Sequence, residues 1–465
     1  MVQICHPACL ALDSGQTTAT RSFTVNDKQK PVDKSPAVEG DEYASRPLHG
    51  HLVTELQLAI AEPQEDKEGV PTSPQLANAV LRDVLRERAT DLHLDSHTRG
   101  TLVRLRIDGV VHDALMLNRE RGRQLVNQFK NLANLDPVTR FIPEDARISC
   151  EIDGQMVDLR LTRAPCLHGD KLSIRLFDMP VSPHQLSDLG LHTQGLEELE
   201  KWLGHVSGML LVTGPSGSGK TTTLYAMLHR LKLHERNVIT IEDPAEYQVD
   251  GINHIQVDKF HGMTFVEGVK AMLRLDPDFL MLGEIRDADS AHAAITAASS
   301  GRALMSTLHS RDAVAVVETL RNYGLTGHEI SANLMLVVSQ RLVRLLCPHC
   351  RVKGGANNEE KHWLHELGRT VPRQVWHARG CEQCQGVGYR GRTGIFEVWR
   401  IDAEEYQLIL DDADRRTLFR HMAERGHRFL LDDGLAKAAE GLTTLAELRT
   451  IGGYNVLRTM GLDNN

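Results

Sequence analysis

Between an apolar run at Met209 to Val212 and a helix-like segment at Thr222 to Leu231, the chain reads Gly214-Pro215-Ser216-Gly217-Ser218-Gly219-Lys220-Thr221. Its spacing, G-x-x-x-x-G-K-[ST], is that of a loop that wraps phosphate. Such a loop needs a strand before it and a helix after it, and both are present. Glycines let backbone N–H groups close on phosphate oxygens, and the helix N-terminus adds partial positive charge. Lys220 is expected to reach the β- and γ-phosphates, the Thr221 hydroxyl to hold Mg²⁺, and Thr222 to continue the same nucleotide site. A chance Gly/Ser-rich turn is the bland alternative, and the order of strand, loop and helix argues against it.

The length of 465 residues fits about three domains. Apolar residues make up 41%, ample for a core, while aromatics at 5% suit a helix-rich α/β architecture. A net charge of -9 argues against a nucleic-acid binder, which usually carries a basic face. No apolar run approaches the ~20 residues that span a bilayer. The opening residues, MVQICHPACLALDSG, lack a basic segment before their apolar stretch and make a poor secretory signal. The expectation is a cytosolic protein whose membrane contact is indirect, through a partner.

Composition shifts mark out the domains. Residues 1–70 mix Pro, Gly, Ser and charge and read as a tail or linker, with one short helix at His51 to Ala61. An α+β domain follows at 72–178. Leu76, Val80, Leu81, Val84 and Leu85 predict a helix over 75–88. Asp108-Gly109 and Asp153-Gly154, each between alternating runs, predict hairpins. A further strand places Leu172, Ile174 and Leu176 on one face. Arg160 and Arg175 fall on the polar face, either solvated or meeting an anion held by the next domain. Residues 179–205 read as a linker. From 206 to 345 short apolar strands alternate with helices, the pattern of a largely parallel sheet covered on both faces. A tetracysteine segment occupies 346–395, and a helical region 396–465 contains a capping box at Thr444-Leu445-Ala446-Glu447.

Four strands of the central domain end in polar residues. The run 209–213 leads into the phosphate loop, 237–241 into Glu242-Asp243-Pro244-Ala245-Glu246, 279–282 into Gly283-Glu284, and 303–307 towards His309. Open α/β sheets bind ligands beyond the carboxyl ends of their strands. If these four are parallel neighbours, their tips converge on one nucleotide. Mg²⁺-ATP then needs a carboxylate to position the attacking water. Glu284 is assigned that role, Glu242 the metal or its water shell, and His309 the sensing of the γ-phosphate; helix capping is the competing explanation for the two acids. Arg274 and Arg286 flank the third strand, to meet phosphate, a neighbouring subunit or nearby acids. Cys347, Cys350, Cys381 and Cys384 form two C-x-x-C pairs, the spacing of a closed structural zinc site, with a redox dithiol as the rival. Cys5, Cys9, Cys150 and Cys166 read as ordinary thiols, and His349 as a spacer.

Taken together, these residues resemble the secretion ATPases of type II secretion systems and the assembly ATPases of type IV pili. The resemblance runs from about 75 to 452. It rests on Thr90-Asp91-Leu92-His93-Leu94-Asp95, the phosphate loop, Ile241 to Glu246, Gly283-Glu284-Ile285-Arg286-Asp287, Ser306-Thr307-Leu308-His309, Gln340-Arg341-Leu342-Val343 before the first cysteines, and Gly388 to Ile395 after the last. It implies a RecA-like P-loop ATPase domain with a largely parallel sheet, preceded by a smaller α+β domain and carrying a zinc-stabilised helical module. It also implies a homo-hexameric ring on the cytoplasmic face of the inner membrane, driving a platform protein and bound to the cytoplasmic domain of a membrane anchor. ATP, Mg²⁺ and Zn²⁺ are the implied cofactors, and Arg160 and Arg175 the arginines that meet the phosphates. Secretion through pseudopilus assembly is the first reading; a type IV pilus assembly ATPase, and then a retraction or conjugation ATPase, are the alternatives. Three positions depart from the family: Arg302 for a His, Arg163 for a Thr, and Leu275 for a Gln or His.

Overall fold

The computed structural model describes residues 73–451, apart from 137–140, 154, 178–184, 206, 232–234, 247 and 259. The expected tail at 1–70 and its short helix lie outside the described residues.

The first sheet is built from β1 (Asp91–Ser96), β2 (Gly100–Ile107), β3 (Val110–Asn118), β4 (Glu144–Ile152), β5 (Gln155–Cys166) and β6 (Gly169–Phe177). Its order is β3-β2-β1-β6-β5-β4, and every pairing is antiparallel. Asp108 and Gly109 both take positive φ, 48° and 87°, and turn β2 into β3. One face buries Leu92, Leu94, Leu105, Leu161 and Ile174 under α1 (Ser73–Arg86) and α2 (Arg119–Leu132). The sequence reading did not anticipate α2. It has only a narrow stripe of Leu125, Val126 and Phe129, and its clearest local signal is Asn118, whose side chain accepts the Arg121 N–H at 2.9 Å.

Arg163 is fully buried here. Its guanidinium meets Glu144 at 2.5 Å and Asp170 at 3.1 Å, and Lys130 Nζ donates to the other oxygen of Asp170 at 2.8 Å. A Thr at 163 would leave Asp170 with Lys130 and without a guanidinium. Removing one partner from a buried pair strands the other charge, at a cost of about 3–5 kcal/mol.

The second sheet has seven strands: β7 (Gly208–Thr213), β8 (Val238–Glu242), β9 (Asn253–Gln256), β10 (Phe279–Ile285), β11 (Ala303–Leu308), β12 (Leu334–Leu346) and, beyond a cysteine-bearing excursion, β15 (Tyr389–Arg400). Its order is β15-β12-β7-β11-β10-β8-β9. All pairings are parallel except that of β12 with β15. Alternate side chains go to opposite layers. Met209, Leu211, Leu280, Leu282 and Leu304 pack with α5 (Phe265–Met272), α6 (Ala288–Ser299), α7 (Val314–Asn322) and α8 (Gly327–Asn333). Leu210, Val212, Phe279, Met281 and Met305 pack with α3 (Thr193–Leu203) and α4 (Lys220–Arg230). The largely parallel, doubly covered sheet is the fold class expected from the sequence.

Between β12 and β15 the excursion carries α9 (Asn358–Glu366) and, besides that helix, a two-stranded ribbon of β13 (Val352–Gly354) and β14 (Val375–His377). Four helices close the described chain: α10 (Ala403–Leu410), α11 (Arg415–Glu424), α12 (Leu430–Glu440) and α13 (Leu445–Ile451). The first sheet touches the excursion and β15 directly. Asp108 Oδ2 accepts the Gly391 N–H at 2.8 Å, and Gln385 donates to Glu87 at 3.0 Å.

Asp170→Ala is therefore expected to destabilise the first domain by about 3–5 kcal/mol by removing the buried carboxylate that Lys130 and Arg163 share. Amide exchange along β5 and β6 reads this directly, and protection equal to wild type would refute it.

Candidate active site

Because β7, β11, β10 and β8 run parallel, their carboxyl ends lie on one edge of the sheet. The phosphate loop leaves the first of them. Gly214 has φ 154°, and a Cβ there would stand 2.5 Å from the Gln340 carbonyl oxygen, so the loop admits no side chain at its start. Gln340, buried on β12, braces the loop: its amide donates to the Ser218 carbonyl at 2.7 Å and accepts the Thr223 hydroxyl at 2.8 Å. The sequence reading gave Gln340 no role of its own, since nothing local marks a mid-strand Gln as a brace.

Lys220 is nearly buried, and its Nζ donates to the carbonyls of Gly214 and Pro215 at 2.9 and 3.2 Å. It also lies 3.4 Å from His309 Nδ1. Burial, with the charge of Arg341, lowers its pKa to about 8 against the opposing pull of Glu284. A phosphate would restore the missing counter-charge.

Glu284 reaches this lysine through His309. The imidazole Nε2 lies 2.6 Å from Glu284 Oε1, while Nδ1 faces Lys220. A neutral ring with its proton on Nε2 donates to the carboxylate and accepts from the ammonium, so Lys220, His309 and Glu284 form one chain. The other carboxylate oxygen accepts from Arg286 Nε at 2.6 Å, and Arg286 extends towards Asp243 at 3.4 Å. Backbone irregularity aims Glu284. Between Leu282 and Ile285 the ladder with β11 advances three residues on β10 and two on β11, a bulge at Gly283-Glu284. The Thr307 hydroxyl pins the Gly283 carbonyl at 2.8 Å. A Cβ at Gly283 would lie 3.4 Å from Glu242 Cα, which leaves little room for anything larger.

Glu242, expected at the metal, is placed otherwise. Its carboxylate is buried and accepts from Tyr225 at 2.6 Å, Thr240 at 2.8 Å and His254 at 3.0 Å. The acid whose titration responds to the Thr221 hydroxyl is Glu246, four residues on. Protein surrounding its carboxyl raises the Glu246 pKa, as does Glu242, while the Thr221 hydrogen bond and the charge of Arg175 lower it. The sequence reading quoted Glu246 without assigning it a role.

Arg175 itself pairs with Asp91 within the first sheet. It belongs to a row of side chains on the polar face of the first sheet. Register places Arg147, Arg160, Arg175, Asp91 and Arg106 side by side over five strands. Asp91 pairs with Arg175 at 3.0 Å, and Asp145 lies 3.8 Å from Arg160. Arg302, by contrast, opens β11 at the opposite edge and pairs with Asp276 at 3.1 Å. Among the departures from the family it sits away from the phosphate loop, as does Arg274 before β10.

The donor set fits a magnesium nucleotide. Lys220, the N-terminus of α4 and Arg175 supply positive charge, while Thr221, Glu246 and Glu284 supply oxygen ligands or acceptors for water.

The cysteines form a second centre. All four sulfurs lie within 4.8 Å of one another, with separations of 3.9, 3.7 and 3.7 Å for Cys347–Cys381, Cys350–Cys384 and Cys381–Cys384. A tetrahedral zinc with Zn–S bonds of ~2.3 Å requires sulfurs ~3.8 Å apart. The residues fit that metal, gathered about a point rather than joined in pairs. Burial alone pushes the Cys384 thiol up, but the N–H groups of Cys381 and Gly388 and the neighbouring thiols bring it down to about 7. A thiolate is the form a metal needs.

Comparison with known proteins agrees with this geometry. The model of the "Type II/IV secretion system protein" family matches residues 65–450. The type II secretion system ATPase E of Vibrio cholerae is 38% identical over 377 residues, 81% of this chain and 75% of that one. The type II secretion system protein E of Pseudomonas aeruginosa is 39% identical over 415 residues, 88% of this chain and 82% of that one. Among solved structures, the Legionella pneumophila ATPase DotB shares the fold, with a TM-score of 0.61 at 18% identity, over 83% of this chain and 97% of that one.

Two outcomes are expected of these centres. Nucleotide binding should take up a proton at Lys220, because its lowered pKa in the free protein rises when phosphate arrives. Affinity is then flat below pH 8 and falls up to about tenfold per pH unit above it. Calorimetry in buffers of different ionisation enthalpy measures the uptake, and none at pH 8.5 would contradict it. Cys384→Ser should release the bound zinc and destabilise residues 346–395, as read by metal analysis and amide exchange.

The phosphate loop, the re-aimed Glu284, the thiol cluster and a matched family model over most of the sequence lead to one conclusion: the chain belongs to the type II/IV secretion system protein family.

Proposed function

We propose that this protein is the ATP-hydrolysing motor of a type II secretion system. The observation that carries the reading is the chain Lys220–His309–Glu284 above the phosphate loop, in a sequence whose relatives bear that name. The loop amides and Lys220 bind and orient the β- and γ-phosphates. Glu284, held between His309 and Arg286, accepts a proton from the attacking water and fixes its direction. Before nucleotide arrives, His309 passes the position of Lys220 to Glu284, so ligand and carboxylate are sensed together. Thr221 and Glu246 would hold Mg²⁺ and its water shell. A magnesium held there would supply positive charge to offset the charge that develops on the phosphate oxygens.

Arg175, with Arg160 beside it, offers the first domain a grip on the same phosphates. A nucleotide that binds this closed arrangement more tightly than an open one moves the two domains, and only that difference can do mechanical work. Six copies in a ring, on the cytoplasmic face of the inner membrane, would pass the motion to a platform protein and add pseudopilin subunits. Among the described residues no helix is long and apolar enough to cross a membrane, which accords with attachment through partner proteins.

Glu284→Gln tests the chemistry. Turnover of ATP should fall by about 10²–10⁴-fold while nucleotide affinity stays near wild type. Undiminished hydrolysis would remove Glu284 from the mechanism. Loss of binding together with turnover would assign it a role in holding the loop.

A further inference from the structure

We propose that His254 is a positioning residue: it joins Glu242, at the end of β8, to Val249 and thereby fixes the segment that carries Glu246. The inference rests on the nucleotide site proposed above.

The observation is a buried hydrogen-bond network whose direction is fixed. Val249 N–H donates to His254 Nε2 at 3.2 Å. That nitrogen must therefore carry a lone pair, and the ring proton sits on Nδ1. From Nδ1 it faces both the Thr240 Oγ1 at 2.9 Å and Glu242 Oε1 at 3.0 Å. One neutral imidazole thus joins the residue that precedes the loop, Glu242, to a residue at its end, Val249. Between them lie Asp243, which faces Arg286, and Glu246, whose titration responds to the Thr221 hydroxyl.

Glu242 is well secured. Thr240 donates to the same oxygen at 2.8 Å, and Tyr225, fully buried on α4, donates to the other at 2.6 Å. The rings of Tyr225 and His254 stack 6.4 Å apart at an interplanar angle of 9°. α4 is the helix that begins with Lys220 and Thr221. The network consequently refers the loop bearing Glu246 to the helix bearing Thr221, through Tyr225, Glu242 and His254. Glu242 keeps two donors if His254 is lost, but Val249 loses the acceptor of its N–H. The loop's far end, rather than Glu242, is what His254 controls.

This assigns a role to a histidine that touches neither phosphate nor the reacting water. Removing a group that orients a metal-site ligand typically weakens the metal by about 10–100-fold. His254→Leu removes the contacts with Val249, Glu242 and Thr240 together. His254→Asn keeps a donor to Glu242, yet its amide is too short to meet Val249. His254→Gln can present an acceptor and a donor at the distance of the imidazole edge.

The test uses the full chain with ATP, Mg²⁺ and a fluorescent nucleotide. In His254→Leu and His254→Asn, amides of 243–249 should exchange about fivefold faster, as expected for one lost hydrogen bond. The Mg²⁺ concentration for half-maximal hydrolysis should rise about tenfold, while metal-free nucleotide affinity stays unchanged. His254→Gln should restore both. Wild-type Mg²⁺ dependence in the Leu and Asn variants would overturn the proposal, as would a Gln variant no better than Leu at equal folding. Should Leu fail to fold, Asn against Gln gives the same decision. If instead wild type hydrolyses no ATP, the motor reading itself fails, and loop exchange still decides whether His254 fixes 243–249.

Discussion

Everything at the nucleotide site depends on the parallel ladder that joins β7, β11, β10 and β8. Strands that run the same way must finish on the same edge, so the phosphate loop, His309, Glu284 and the Glu242–Glu246 segment arrive together although they are spread over about a hundred residues. The ladder is possible because each strand is a short apolar run, buried on both faces between helical layers. The charged side chains the site uses sit at the tips of these strands or just beyond them. That placement concentrates the chemistry at one edge.

Within that edge, charge is neutralised in pairs. Lys220 is nearly buried and faces Glu284 through the His309 ring, and Arg286 occupies the remaining oxygen of the same carboxylate. Burial weakens the hold of Lys220 on its proton, while an arriving phosphate strengthens it. The first domain joins in through Arg175, at the centre of a row of arginines whose nearest acid is Asp91. Two sheets with unrelated topology thus contribute to one electrostatic field.

Much of this was legible in the residues. The phosphate loop declared strand, turn and helix in order. The Asp108-Gly109 hairpin required nothing beyond two residues able to take positive φ. The paired cysteines announced a tetrahedral centre by spacing alone. Less legible was α2, whose apolar stripe is narrow, and the course of the cysteine segment, which leaves the second sheet and returns to it as β15. Least legible were the roles of the two acids after β8. Glu242 and Glu246 are alike in sequence terms, both beside a strand tip and both near Asp243-Pro244. A bulge on the neighbouring strand, and three donors that happen to surround one carboxylate, separate them in space.

By itself, then, the order of residues determined what is local: a loop that fits phosphate, thiols spaced for a metal, and runs that must be buried as strands. Only the tertiary structure decided which acid is locked away, and that Arg175 pairs with Asp91 on the polar face of the first sheet. Hydrogen bonds between Tyr225, Glu242 and His254, or between His309 and Glu284, join segments far apart in the chain. Whether a carboxylate meets three buried donors or open solvent is a property of its neighbours in space, and no pattern along the backbone encodes it one residue at a time.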